Sequence, residues 1–201
     1  MGRKSIVRDR KPLNDKAKSW IRELVPLLQD KALDALTLDE LAALMGRSKS
    51  TIYSYFATKE EIYQTVVQLV LEDLVDTISP KALEEEDMEK VLEHMLITIS
   101  EGIEGISIHF LGQIRQHFPE VWQIIEGFTD LLLANFEEIY SRGMESGTFR
   151  KYNLKLLLAL DRHFVMSIMT DASMFDGQGL RLDQLVKEYI ELRLYALRKT
   201  P

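Results

Sequence analysis

Apolar residues recur at spacings of three and four along nearly the whole chain, and no run of alternating β-branched residues closes on an Asn-Gly or Asp-Gly turn. This periodicity constrains the fold most: it predicts an all-α protein. The helix boundaries are punctuated by caps. A first helix is expected from about Leu13 to Lys31, opening at Asn14 or Asp15, with Trp20, Leu24, Leu27 and Leu28 as its apolar stripe and Pro26 as a point of weakness. Thr37 and Glu40 stand in capping-box spacing before a two-turn helix that stops ahead of Gly46. Ser48 caps a further short helix through about Tyr55. Thr58 and Glu61 open a longer one whose apolar positions run from Ile62 to Ile78. After the acidic segment SPKALEEED, five more helices are expected near 88–101, 103–117, 119–145, 154–172 and 181–198.

Charge divides the chain in two. Residues 1–60 hold 12 Lys and Arg against 8 Asp and Glu, net +4, whereas 61–201 hold 13 against 24, net −11; together these make the overall −7. A basic first part on an acidic remainder suits a protein whose N-terminal unit meets a polyanion. No apolar run is long enough to span a bilayer, the opening residues MGRKSIVRDRKP have basic groups without the apolar stretch a signal peptide requires, and there is no cysteine. A cytoplasmic chain without disulfides or thiolate metal sites is expected.

The segment GRSKSTIYSYFATKEEIY, residues 46–63, combines exposed-type basic groups with three tyrosines and a phenylalanine. Two short helices joined at Gly46 and braced by the first helix make a helix-turn-helix, whose second helix ordinarily enters a major groove. Lys49, Ser50 and Thr51 would offer donors to base edges and phosphates, and Tyr53 and Tyr55 would meet the groove wall, while Ile52 and Phe56 anchor the core. The caps at Thr37 and Thr58 leave helix N-termini where phosphates can be held, with Lys59 beside one of them.

The stretch TLDELAALMGRSKSTIYSYFATKEEIY resembles the tetracycline-repressor (TetR) family of bacterial transcription regulators, and GMESGTFR is similar to a turn common in their ligand-binding half. The resemblance implies a phosphate-holding role for Thr37, Thr51, Tyr53 and Lys59, and a groove-facing one for Lys49, Ser50, Ser54 and Tyr55, with Ser48 as the cap of the recognition helix. Arg47 replaces a usual small aliphatic and is an added phosphate candidate, Ala32 replaces a common glycine, and Pro26 interrupts the first helix. It further implies an N-terminal three-helix DNA-binding unit, a long connecting helix and a helical ligand-binding and dimerisation domain, about nine helices in all. The divisions are a basic arm at 1–10, the DNA-binding unit at 11–71 and the larger domain at 72–201.

In that larger part, His109, Phe110, Trp122, Phe128, Phe164 and Met166 are candidates for an effector pocket. The final helix carries two apolar stripes where a surface helix needs one, so Leu185, Tyr189, Ile190, Leu194 and Leu197 are expected at a homodimer interface. No Glu-x-x-His occurs: the residue three before each of His94, His109, His117 and His163 is aliphatic. Phosphate-binding glycine loops and nucleophile elbows are lacking as well, which argues against a metal enzyme and names no cofactor. The expectation is a non-enzymatic repressor, released from a palindromic operator by a small molecule. The competing class is a helical ligand-binding or scaffold protein without DNA function.

Overall fold

A computed structural model describes residues 10–77, 87–170 and 182–199, and places nine helices and no strand among them. These are α1 (Asp15–Leu28), α2 (Leu38–Leu44), α3 (Lys49–Tyr53), α4 (Lys59–Thr77), α5 (Met88–Gly102), α6 (Ile108–His117), α7 (Pro119–Ser146), α8 (Leu154–Thr170) and α9 (Leu182–Leu197). Ile78, the acidic segment up to residue 86, the arm at 1–9 and the DGQG break lie outside the described residues.

The caps form where the sequence spacing places them, with one shift. Asn14 accepts from Ala17 N–H at 2.9 Å, and Thr37 and Glu40 complete a reciprocal capping box. Gly46, at φ +63°, closes α2 in a Schellman turn: its own N–H bonds to Ala43 O and that of Arg47 to Ala42 O. At α4 the box is displaced by one residue. Thr58 Oγ1 accepts from Glu61 N–H at 3.3 Å, but the Glu61 carboxylate reaches back to the Ala57 N–H at 2.7 Å.

Two of the sequence expectations for α1 change. Pro26 does not end the helix: it sits on the exposed face two residues from the C-terminal end, where only the last turn lacks its hydrogen bond. Leu27, assigned to the buried stripe, is 43% exposed; Ala17, Trp20, Ile21, Leu24 and Leu28 form the buried face instead. Residues 103–107 turn rather than continue a helix, with Gly105 at φ +83° and Ser107 capping α6.

One hydrophobic cluster runs from α1, α2, α3 and α4 into α6, α7, α8 and α9, and a second occupies the far end of the larger domain among α5, α7, α8 and α9. The α1–α4 packing is reinforced at its rim by Arg22, whose fork donates to both oxygens of Asp73 at 2.9 and 2.7 Å. In the far cluster Phe149 packs into the space over Gly143, where a Cβ would fall 2.1 Å from the ring.

Candidate DNA-contacting face and interior cavity

The N-terminal end of α3 is the exposed edge of the helix-turn-helix. Ile52 is buried and holds α3 against the core, which turns Ser48, Lys49, Ser50 and Tyr53 outward; Tyr53 is 48% exposed. Ser48 Oγ caps the helix through Thr51 N–H at 3.2 Å, and its hydroxyl lies 3.0 Å from Ser50 Oγ and 2.8 Å from Thr51 Oγ1. Lys49 is ion-paired with Asp39 of α2, and that hydrogen bond raises the pKa of its ammonium. The base-facing candidate therefore carries its own counter-charge.

Other members of the predicted set are engaged inside the protein. Arg47 lies half-buried with its guanidinium 4.4 Å from the centre of the Trp20 ring, the geometry of a cation–π contact. Tyr55 is half-buried and meets the same indole edge-on at 6.1 Å. Ser54 donates to Thr51 O at 2.7 Å. Thr37 is exposed, and its hydroxyl donates to Glu40 at 2.8 Å. Lys59 donates to the carbonyls of Leu33 and Asp34 and lies 5.7 Å from the Phe118 ring centre, which ties the start of α4 to the α1–α2 loop.

Tyr63 reinforces that tie by donating to Leu33 O at 2.9 Å; burial, with the nearby carboxylates of Glu60 and Asp34, raises the pKa of its phenol and keeps it a donor. A polar joint then connects the N-terminal unit to α6. Gln29, buried at the end of α1, donates from Nε2 to Val25 O at 2.7 Å and accepts the Ser107 N–H at 2.7 Å. Ser107 Oγ returns a bond to Gln29 O at 2.8 Å and accepts the Phe110 N–H at 3.0 Å, so one hydroxyl both caps α6 and holds α1. Gln113, a turn further along, accepts the Leu33 N–H at 3.2 Å.

Between α4 and the helices of the larger domain lies a cavity of about 170 Å³. Phe110, Phe128 and Phe164 line it as the sequence suggests, together with aliphatic side chains of α4, α5, α7, α8 and α9. The other three pocket candidates do not. His109 is exposed on the outer side of α6; Trp122 is buried away from the cavity, with its indole N–H donating to Glu126 at 2.9 Å; Met166 is half-buried against the first cluster. His109 lies about 100° round α6 from Phe110, on the side of the helix turned to solvent.

Polar groups that composition alone did not single out close one end of the cavity. Asp161, buried in α8, accepts from Tyr140 at 2.9 Å and also from Tyr189 and Arg193. Phe164 and Tyr189 stack with ring centres 3.7 Å apart. Burial and the Asp161 carboxylate both raise the phenol pKa values of Tyr140 and Tyr189, so these hydroxyls stay protonated donors. Burial, the largest single influence on Arg193, lowers its pKa, but Asp161, Tyr189 and Tyr140 together outweigh it and keep the guanidinium charged. The sequence signal was a lone acid inside the apolar run LKLLLALDRHFVMSIM.

The interface residues expected on α9 need correction. Ile190, Leu194 and Leu197 are buried in the second cluster and Leu185 in the first, while Tyr189 and Ile190 form cavity wall. The stripe of Ile190, Leu194 and Leu197 is consumed within the protomer because α9 lies against α5 on one side and the cavity on another, whereas the other stripe keeps Leu192 outside. The large apolar side chains left outside on the last two helices are Leu156, Leu160, Leu192 and Tyr195, the last two 69% and 78% exposed. Among the described residues no group of three or more His, Asp or Glu could hold a metal ion, and no helix is long and apolar enough to cross a membrane.

Residues 24–66 match the family profile described as bacterial regulatory proteins, tetR family. The chain is 27% identical over 114 residues to YvaF of Bacillus subtilis, described as an uncharacterized HTH-type transcriptional regulator; the match covers 55% of this chain and 58% of that relative's length. Among solved structures it superposes on PfmR, a TetR family transcriptional regulator from Thermus thermophilus, with a TM-score of 0.67 and 26% identity, over 90% of this chain and 99% of the other. The transcriptional regulator FadR of Bacillus subtilis, solved in complex with stearoyl-CoA, shares the fold at 17% identity, with a TM-score of 0.67 over 89% of this chain and 98% of that one.

Proposed function

The chain belongs to the TetR family of bacterial regulatory proteins, and from that premise we propose that it is a homodimeric repressor released from a palindromic operator when a small molecule fills the interior cavity. It is a ligand-responsive, DNA-binding transcriptional regulator. The observation that carries the finer reading is the joint of Gln29 and Ser107, which links the helix bracing the DNA-reading unit to the helix that supplies Phe110 to the cavity wall.

In this reading Ser48, Lys49, Ser50 and Tyr53 meet the groove, and Lys49 exchanges Asp39 for a base or phosphate oxygen as the complex forms. Thr37, Thr51 and Ser54 lie at the margin of that surface. Arg47 and Tyr55 position α3 through Trp20 rather than entering the groove. Lys59 sets the start of α4 against the α1–α2 loop, and any contact it makes with a phosphate is added to that task. The two copies pair through Leu156, Leu160, Leu192 and Tyr195, which leaves the second-cluster residues of α9 inside each protomer.

A ligand that moves α6 then pulls on α1 through Gln29 as well as on α4 through packing. The half-site spacing, about 34 Å for one turn of duplex, is lost when the two heads shift apart. Selection of bound fragments from the source genome tests the reading: retained fragments should share a two-fold symmetric sequence and bind with saturable, salt-dependent affinity. Failure to retain any fragment would instead favour a ligand-binding or scaffold protein on the same fold.

A further inference from the structure

This inference rests on the cavity being the effector site and concerns the chemistry of what fills it. The wall contributed by α7 runs from Ile125 to Tyr140, about 22 Å of helix at 1.5 Å per residue. A volume of about 170 Å³ spread along that wall describes a narrow slot suited to an unbranched chain. Polar groups are few. The Thr129 hydroxyl is committed to Ile125 O at 2.9 Å, which leaves the cluster at the Tyr140 end as the place where a polar atom of the ligand can be received.

The hydrogen bonds there do not balance. Asp161, with 4% of its side chain exposed, has both oxygens occupied, one by Tyr140 and the other by Tyr189 and Arg193. The Tyr189 hydroxyl oxygen accepts from Arg193 Nη2 at 2.6 Å. Arg193 Nε is buried and, among the described residues, has no hydrogen-bond partner. The acceptors of Asp161 and Tyr189 are in use while this donor is left over, and the charges of Asp161 and Arg193 cancel.

We propose that the cavity takes an elongated, uncharged lipophile with one acceptor oxygen, a ketone or ester carbonyl, which receives the Arg193 Nε–H once that side chain, whose Nε is sealed from the cavity by its neighbours, turns to meet it. An ionised carboxylate would bring an uncompensated negative charge into an apolar chamber beside Asp161. A pure hydrocarbon would fill the slot but leave the arginine donor unsatisfied, at the cost that attaches to any buried unpaired donor.

The probes are methyl hexadecanoate, hexadecanoate and hexadecane, each measured by displacement of the uncharged dye Nile red from the full-length protein at about pH 8, where the acid is ionised. The ester is expected to bind more tightly than the carboxylate. In the double substitution Asp161→Asn with Arg193→Met, which keeps the site neutral, the ratio of ester to hydrocarbon affinity falls about tenfold or more, the worth of a hydrogen bond to a charged group. Should that protein fail to fold, the probe series in the unmodified chain still decides, joined by Leu132→Trp. That substitution narrows the slot without touching the cluster, and should abolish binding of methyl hexadecanoate while retaining methyl octanoate.

Tighter binding of the carboxylate, an unchanged ester-to-hydrocarbon ratio in the folded double variant, or no displacement by any probe overturns the proposal. Operator binding measured on the same preparation separates this from the regulator reading. DNA retained with no probe bound overturns the ligand class alone, whereas probes bound with no DNA retained overturns the repressor.

Discussion

Replacing Asp39 by Asn is expected to make the protein bind DNA more tightly and less selectively. In the free protein Lys49 is neutralised by Asp39, so moving the lysine onto DNA leaves a carboxylate unpaired beside the groove and adds almost no net positive charge to the contact. Asparagine removes that opposing charge. Each additional phosphate neutralised steepens the dependence of log K on log salt by about 0.9 for duplex DNA. With one site in each half of a dimer the slope should steepen by about 1.8, so the variant's advantage over the parent should shrink about twelvefold between about 50 and about 200 mM salt. Non-specific fragments should gain more than the operator, where a base contact already compensates Lys49 for leaving Asp39, so the ratio between them narrows. The assay is fluorescence anisotropy of operator and scrambled duplexes across a salt series. Asp39 lies in the first turn of α2, where losing a negative charge costs about 0.3–1 kcal/mol, so a urea titration is run alongside to show that the fold persists. A folded variant with an unchanged slope, or with weaker binding to scrambled DNA, would refute the reasoning.

The remaining predictions concern the joint, the interface and the α1–α4 rim. Gln29→Leu orphans the Ser107 N–H and should lower stability by about 1–3 kcal/mol in urea unfolding, and should speed amide exchange at the start of α6 while α3 stays protected. Leu192→Glu should yield folded monomers by sedimentation with operator affinity lost, whereas Leu194→Glu, buried in the second cluster, should cost several kcal/mol and melt the domain. The Asp73 carboxyl is held below its ordinary value by the hydrogen bond from Arg22, which outweighs burial. Its contribution is therefore present above about pH 3.9 and lost as pH falls through the lower folded value. Because the pair is largely exposed, Asp73→Asn should remove at most about 1 kcal/mol near neutrality, a difference that vanishes in strong acid.

Helices and caps were legible because their signals are local. Thr37, Glu40, Gly46 and Ser48 each act within four residues, and the structure realises them without help from distant contacts. What the sequence could not convey was which of several apolar faces meets what. Leu27 follows the periodicity of α1 yet lies outside, and α9 displays two stripes whose destinations depend on α5 and the cavity. The pocket was half legible for the same reason: Phe110, Phe128 and Phe164 point inward and His109 does not, although all share the composition of a binding site. Asp161 and Arg193 stand 32 positions apart, and only the packing of α8 against α9 makes them partners. Long-range pairing of that kind leaves no mark on local periodicity.

The continuity of the first hydrophobic cluster bears on how regulators of this kind can be recombined. Leu33, Tyr63 and Phe118 belong to one packed body, with Tyr63 and Phe118 ring centres 4.7 Å apart across the division at residues 71 and 72. A head cut at that point and grafted onto another regulator would present Tyr63, Val66 and Leu69 to a foreign surface and leave Gln29 facing a residue not chosen for it. Such chimaeras should fold poorly or respond weakly unless α6 and the turn into α7 travel with the head. The transplantable unit is thus discontinuous in sequence, and on the reading proposed above exchange of DNA specificity between relatives is better achieved by substituting the outward side chains of α3 than by swapping domains.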